Sequence, residues 1–286
     1  MKKLVVVLAL LNTACISADS PSLEKVTKLL TPESVVQATD GAIYVSEINE
    51  FDKDGDGQIS VIRDGKVSTL IKGLDDPKGL AIIGDNLYIA DKTKVLKVAL
   101  NESPAQLSTF VEASAFANPP QFLNDLEADP RGNLYVSDSG DIMGTGKGGA
   151  IYKIDSKGNT TLLIDGKQDE RVMAPNGLLA DDTGDYLIFV DFTSGILYQY
   201  NQSNKALTDI SEANFGGGDG VVHHSNGTMY ISDWKSGKVY SMNMNGEVSL
   251  LKEGYKAAAD IAITKDEQYL MVPDMKAGIL DFIPLN

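Results

Sequence analysis

Arg131-Gly132-Asn133-Leu134-Tyr135-Val136-Ser137-Asp138 is a turn, then a short strand, then an acid, and the same phrase returns five more times along the chain. The other copies read DGAIYVSE (40–47), GDNLYIAD (84–91), GDYLIFVD (184–191), NGTMYISD (226–233) and DEQYLMVPD (266–274). Each opens on turn residues, alternates apolar with small side chains, and closes on Asp or Glu. With Tyr44, Tyr88, Tyr135, Phe189, Tyr230 and Met271 as equivalent points, the copies lie 44, 47, 54, 41 and 41 residues apart. Strand-built repeats of roughly 40–50 residues are the blades of a β-propeller. The six copies predict an all-β, six-bladed β-propeller, a single domain over residues 19–286.

Blade 2 shows the unit most plainly. Its β-rich runs are Gly79 to Ile83, Asn86 to Asp91, Lys94 to Ala99 and Gln106 to Glu112, each bounded by turn residues. Blade 6 has only three runs, Ile261 to Thr264, Tyr269 to Asp274 and Gly278 to Ile283. The segment Glu24 to Leu30 reads as an extra strand ahead of blade 1. Pairing it with blade 6 completes the last blade and closes the ring, which removes two open sheet edges.

The 286 residues include 43% apolar side chains and carry a net charge of −15. That charge argues against nucleic acid as a partner and against binding to an anionic membrane surface. Met1 to Ala18 reads as an export signal: Lys2 and Lys3, then the apolar run Leu4 to Leu11, then small residues ending in Ala18. The run is too short to span a bilayer, which takes about 20 residues, so no stable membrane insertion is expected. The expected location is periplasmic or secreted. Acylation at Cys15, the single cysteine, is the alternative, although Asn12 stands where a lipoprotein signal carries an aliphatic residue.

In a propeller the first strand of each blade lies nearest the axis, so residues at its start converge at one mouth of the channel. Counting back 11 positions from the repeat marker gives Glu33, Asn124, Asp219 and Asp260; in blade 4, 13 positions give Asn176. In blade 2 the slot falls at Pro77 or Lys78. Five blades thus offer an oxygen-bearing side chain at one structural position. Ca²⁺ takes six to eight oxygens from carboxylates, amides and water, and the absence of His and Cys from this column argues against zinc. Other divalent ions fit the same donors. Asn, Asp and Glu also cap turns ahead of strands, which is the competing reading of each residue taken singly.

Asp52, Asp54 and Asp56 open a D-x-D-x-D-G pattern that suits a second Ca²⁺, but Arg63 stands where an EF-hand has its bidentate Glu. Gly144 to Gly149 lacks the full phosphate-loop spacing and reads as a loop near the channel mouth. His223 and His224 have no acid or nucleophile at a motif spacing. Trp234 reads as packing between blades. The acids that close each phrase, Glu47, Asp91, Asp138, Asp191, Asp233 and Asp274, recur too regularly for catalysis and are expected to bond turn amides.

At the column positions the chain resembles the gluconolactonase/regucalcin family of six-bladed calcium-dependent propellers. In that family the metal is held by a first-blade Glu, the Asn of an N-D pair, the Asn of P-N-G and the Asp of D-G. The resemblance places these at Glu33, Asn124 of Asn124-Asp125, Asn176 of Pro175-Asn176-Gly177, and Asp219 of Asp219-Gly220. It implies a lactone or related ester as small-molecule substrate and Asp219 as general base or nucleophile. Asp125 would orient a ligand or water, and Lys78 and Asp260 are further substrate-contact candidates. Phe122 stands where sugar-lactone-hydrolysing members carry a substrate-binding Arg. Blade 2 is also similar to NHL repeats, whose propellers include binding modules. A propeller that binds a ligand or protein without catalysis is therefore the alternative.

Overall fold

The computed structural model describes residues 23–211 and 214–285. The expected export signal and Cys15 lie outside them. The described chain folds into six four-stranded antiparallel sheets, with no α-helix among the described residues and one 3₁₀ turn at Ala113–Ala115. Among the described residues no helix is long and apolar enough to cross a membrane. The innermost strands are Pro32–Gln37, Pro77–Ile83, Leu123–Ala128, Pro175–Ala180, Gly218–His223 and Ala262–Ile263.

The repeated phrase is the second strand of each blade, and its alternation explains the ring. Leu134–Asp138 is buried at every position. Leu134 and Val136 pack into the core shared with blade 2, whereas Tyr135 packs into the core shared with blade 4. Blade 1 repeats the device: Ile43 and Val45 face blade 6, and Tyr44 faces blade 2. Successive side chains of a strand point to opposite faces, so each second strand stitches two neighbours at once. Truncating the fully buried Tyr135 to Ala would cost about 3–5 kcal/mol.

Blade 6 holds strands Ala262–Ile263, Tyr269–Asp274 and Ile279–Pro284, and Val26–Thr27 is its fourth, outermost strand. Val26 pairs with Leu280 and Thr27 with Ile279. Leu29 N–H then donates to Gly278 O at 3.1 Å. The amino-terminal segment therefore closes the ring, over a shorter paired stretch than Glu24 to Leu30.

Inner strands approach one another closely around the axis. A Cβ on Gly79 would lie 2.5 Å from the Asp125 backbone, and one on Gly177 would lie 2.3 Å from Asp219 O. Glycine at these two positions lets neighbouring inner strands touch through backbone, which narrows the channel beneath the column.

Candidate metal centre

Two features of the repeated phrase aim the column. Five of the six closing acids grip the segment that leads into an inner strand. Asp91 accepts from the amides of Asp75 and Asp76, Asp138 from Gln121 and Phe122, Asp191 from Met173 and Ala174, and Asp274 from Lys256 and Ala257. Glu47 accepts from Leu30 N–H, whereas Asp233 accepts from Ser236 N–H in the turn after its own strand. In blades 1 to 5 the ladder then skips a register, between Pro32 and Val35 in blade 1 and at the same point in the others. Such bulges re-aim side chains. The serine of the phrase satisfies the amide this frees: Ser34, Asp125 and Gly220 N–H donate to Ser46, Ser137 and Ser232 Oγ at 2.8–2.9 Å.

The ladder register settles which residue fills each slot. Pro77 pairs with Asp91 as Pro32 pairs with Glu47, so the blade 2 slot is Lys78. In blade 6, Ala258 bridges Asp274 as Gly218 pairs with Asp233, so Ala259 fills the slot. Asp260 falls one place later, equivalent to Asp125. The count of 11 misses there because the blade 6 hairpin, from Ala262 to Met271, is one residue longer than that from Val222 to Tyr230.

Glu33, Asn124, Asn176 and Asp219 line one cavity of about 1030 Å³ at this mouth, together with Lys78 and Phe122. The four are 2–3% exposed. Each carries a buried oxygen with no hydrogen-bond partner: Glu33 Oε2, Asn124 Oδ1, Asn176 Oδ1 and Asp219 Oδ1. The orientation of Asn124 is fixed by its neighbour. Its Nδ2 donates to Ser139 Oγ at 3.0 Å, and Ser139 in turn donates to Pro175 O at 2.8 Å, so the amide oxygen is left facing the column. The side-chain amide of Asn176 favours the charged form of Asp219, against the effect of burial.

A buried acceptor without a partner costs roughly 1–3 kcal/mol. Four in one place describe a site that fits a hard cation, by donor chemistry and by need. Among the described residues no group of three or more His, Cys, Asp or Glu could hold a metal; this column mixes two carboxylates with two amides, an oxygen set suited to Ca²⁺. Burial pushes the Glu33 carboxyl well above its ordinary range, and the charge of Asp219 adds to it; burial, then the charges of Asp125 and Asp233, does the same to Asp219. A bound cation reverses that logic and favours both as carboxylates.

Lys78 is 1% exposed, donates to Asp76 O at 3.1 Å, and lies 4.1 Å from the centre of the Phe122 ring. Desolvation lowers its pKa, opposed by Asp76 and Glu33. Asp125 and Asp260 do not line the cavity. Asp125 accepts from Leu178 and Leu126 N–H at 2.6 and 2.7 Å, Ser34 Oγ donates to Asp260 at 2.6 Å, and burial, then the charge of Asp125, raises the Asp260 carboxyl. Burial raises Asp125 to about 6. Asp52, Asp54 and Asp56 sit on the blade 1 loop and do not line the cavity. His224 Nε2 lies 3.3 Å from Glu267 O, and neither histidine lines the cavity.

Sequence reasoning missed the upper wall. The residue directly after a closing acid, namely Ile48, Phe192, Trp234 and Met275, lines the cavity in blades 1, 4, 5 and 6. That offset from the repeat is the signal that would have found them. Trp234 does join blades, donating through Nε1 to Met275 Sδ at 3.2 Å, but it is also part of this wall.

The profile of the SMP-30/gluconolactonase/LRE-like region matches residues 43–262, most of the propeller and three of the four column residues. The chain belongs to this family. Regucalcin from Agrobacterium tumefaciens strain C58, a calcium-binding protein, superposes with a TM-score of 0.69 at 20% identity, covering 86% of this chain and 82% of that one. This likeness is one of fold. The Arabidopsis thaliana protein strictosidine synthase-like 3 is 31% identical over 139 residues, 43% of this chain. The match spans only 33% of that relative's length.

Proposed function

We propose that this family member is an exported, Ca²⁺-dependent hydrolase that opens a lactone or a related ester in the mouth of the propeller channel. The observation that carries the reading is the set of four buried, unpartnered oxygens on Glu33, Asn124, Asn176 and Asp219, facing a cavity large enough for a small molecule. Those residues would hold the ion, which when bound supplies Lewis-acid activation of a carbonyl and a more acidic water. Asp219 is the proposed general base, taking the proton of the attacking water. Lys78, sealed from solvent and held by Asp76 O and Phe122, fixes a positive charge beside the reacting group. Asp125 acts as a positioning residue: its carboxylate ties blade 3 to blade 4 through Leu178 N–H.

The alternative is a propeller that only binds, with the ion as a brace. A brace is expected to be enclosed by protein oxygens on all sides, whereas here the column opens to a cavity. The test is hydrolysis of simple γ- and δ-lactones and phenyl esters with Ca²⁺ and then with chelator. Activity that survives chelation, or that survives Asp219→Ala, overturns the reading.

A further inference from the structure

The four oxygens account for the floor of the cavity and leave its walls unexplained. Among the described residues Glu33 and Asp219 are the only carboxylates that line it, and three lysines join them, Lys78 below and Lys235 and Lys276 at the rim. Each lysine is seated on an aromatic ring that also faces the cavity. Lys78 lies 4.1 Å from the centre of Phe122, Lys235 4.4 Å from Phe192, and Lys276 3.8 Å from Trp234. None of the three makes an ion pair with a carboxylate among the described residues.

A bound divalent cation would cancel the charges of Glu33 and Asp219, and with Lys78 facing Asp76 it would leave Lys235 and Lys276 as the net positive charge of the wall. The chain as a whole carries −15, so the cavity has the opposite sign to the protein around it. Its remaining wall is mostly apolar: Ile48, Ile142 and Met275 line it, Met143 stands 85% exposed at its edge, and of the polar side chains there Thr31, Asn49 and Thr193 already donate to Asn49 O, Asp56 and Gly146 O. A neutral polyhydroxylated ring would find few hydrogen-bonding partners there and would leave the lysines unmatched. A molecule with an apolar body and one anionic group answers both features.

We propose that the pocket selects an amphipathic anion, an apolar framework bearing a carboxylate or a phosphate, with the anion held by Lys235 and Lys276 and the cleavable bond over the four-oxygen column. The cleavage rests on the hydrolytic reading above; the binding preference does not.

Trp234 is the single tryptophan and lies in the wall, so its fluorescence reads binding without turnover. The experiment titrates Ca²⁺-loaded protein with phenylbutyrate, phenylpropyl phosphate and the neutral phenylbutanamide, with calorimetry as a second readout. One or both anions are expected to bind about tenfold more tightly than the amide, a gap of about 1.4 kcal/mol; the tighter anion distinguishes carboxylate from phosphate. The gap should close to about twofold in Lys235→Met/Lys276→Met, and in the wild type at about 1 M salt. The proposal is overturned if the amide binds as well as both anions, if no ligand binds, or if the gap survives both treatments. Selective anion binding without turnover of phenyl esters carrying the same anion would sink the hydrolytic reading alone. Turnover without anion preference would sink this proposal alone.

Discussion

The acidic loop at residues 52–57 and the four-oxygen column present a cation with similar donors in opposite ways. The loop is contiguous and open to solvent, and two of its three carboxylates are engaged: Asp54 with Lys92 at 2.7 Å, and Asp56 with Asn49 at 3.0 Å and Lys53 at 3.5 Å. Only Asp56 Oδ1 there is buried without a partner. The column gathers residues from four blades, and every one of its four side chains keeps a free, buried oxygen. Spacing along a chain measures proximity alone. Whether an oxygen is available to an ion depends on what already bonds to it, and that is a property of the folded ring.

The comparison breaks most sharply at Asp219. Replacing it with Ala should lower kcat/KM for lactone or ester hydrolysis by about 10²–10³-fold, the scale for losing one principal electrostatic group, measured in initial-rate assays at saturating Ca²⁺. Retained activity would place the chemistry elsewhere.

A second test uses stability. Burial raises the carboxyls of Glu33, Asp219 and Asp260 well above their ordinary range, Asp125 to about 6, and Glu127, further along the channel, to about 8. Groups whose folded pKa is raised favour the folded state below their unfolded value and lose that contribution as pH rises through the folded one. Without metal, the melting temperature should therefore fall between about pH 4 and 8. Ca²⁺ at a hundred times its dissociation constant should restore about 2.7 kcal/mol at pH 8, and less at pH 5, where protons compete for the same oxygens. Scanning fluorimetry with Ca²⁺ and with chelator would show it; an equal shift at both pH values contradicts a carboxylate site.

Third, Ser139→Ala should weaken Ca²⁺ binding by about tenfold, because the residue that orients a ligand carries a large part of the affinity. Calorimetry reads the change, and an unchanged affinity means that Asn124 is not a ligand. The smallest effect is expected at the loop. Asp54→Asn should alter stability by no more than about 0.5 kcal/mol and leave the metal requirement for hydrolysis unchanged; a large change in either would promote the loop to a site.

The second strands were legible because a strand buried on both faces must carry apolar or small residues without interruption. Asn86–Asp91 and Tyr269–Asp274 fall where the pattern puts them. The column was legible by measuring back from that strand, as long as the intervening hairpin kept its length. Blade 6 adds one residue, and Asp260 slips out of register. Ser139 and the lysine–aromatic wall were not legible in the same way, because their contacts join loops of different blades. Lys235 meets Phe192 of the preceding blade, and Ser139 meets Pro175 of the following one. No local spacing encodes such meetings.

The closing strand has a consequence for the order of assembly. Val26 and Leu280 pair across nearly the full length of the chain, and Glu33 follows a few residues later, with its carbonyl accepting from Asp260 N–H at 3.0 Å. That clasp cannot fasten until the final blade exists, and contacts so distant in sequence form slowly. The first residue of the column to be synthesised is thus the last to be fixed in place. Ion binding in a refolding experiment should accordingly mark the moment at which the circle shuts.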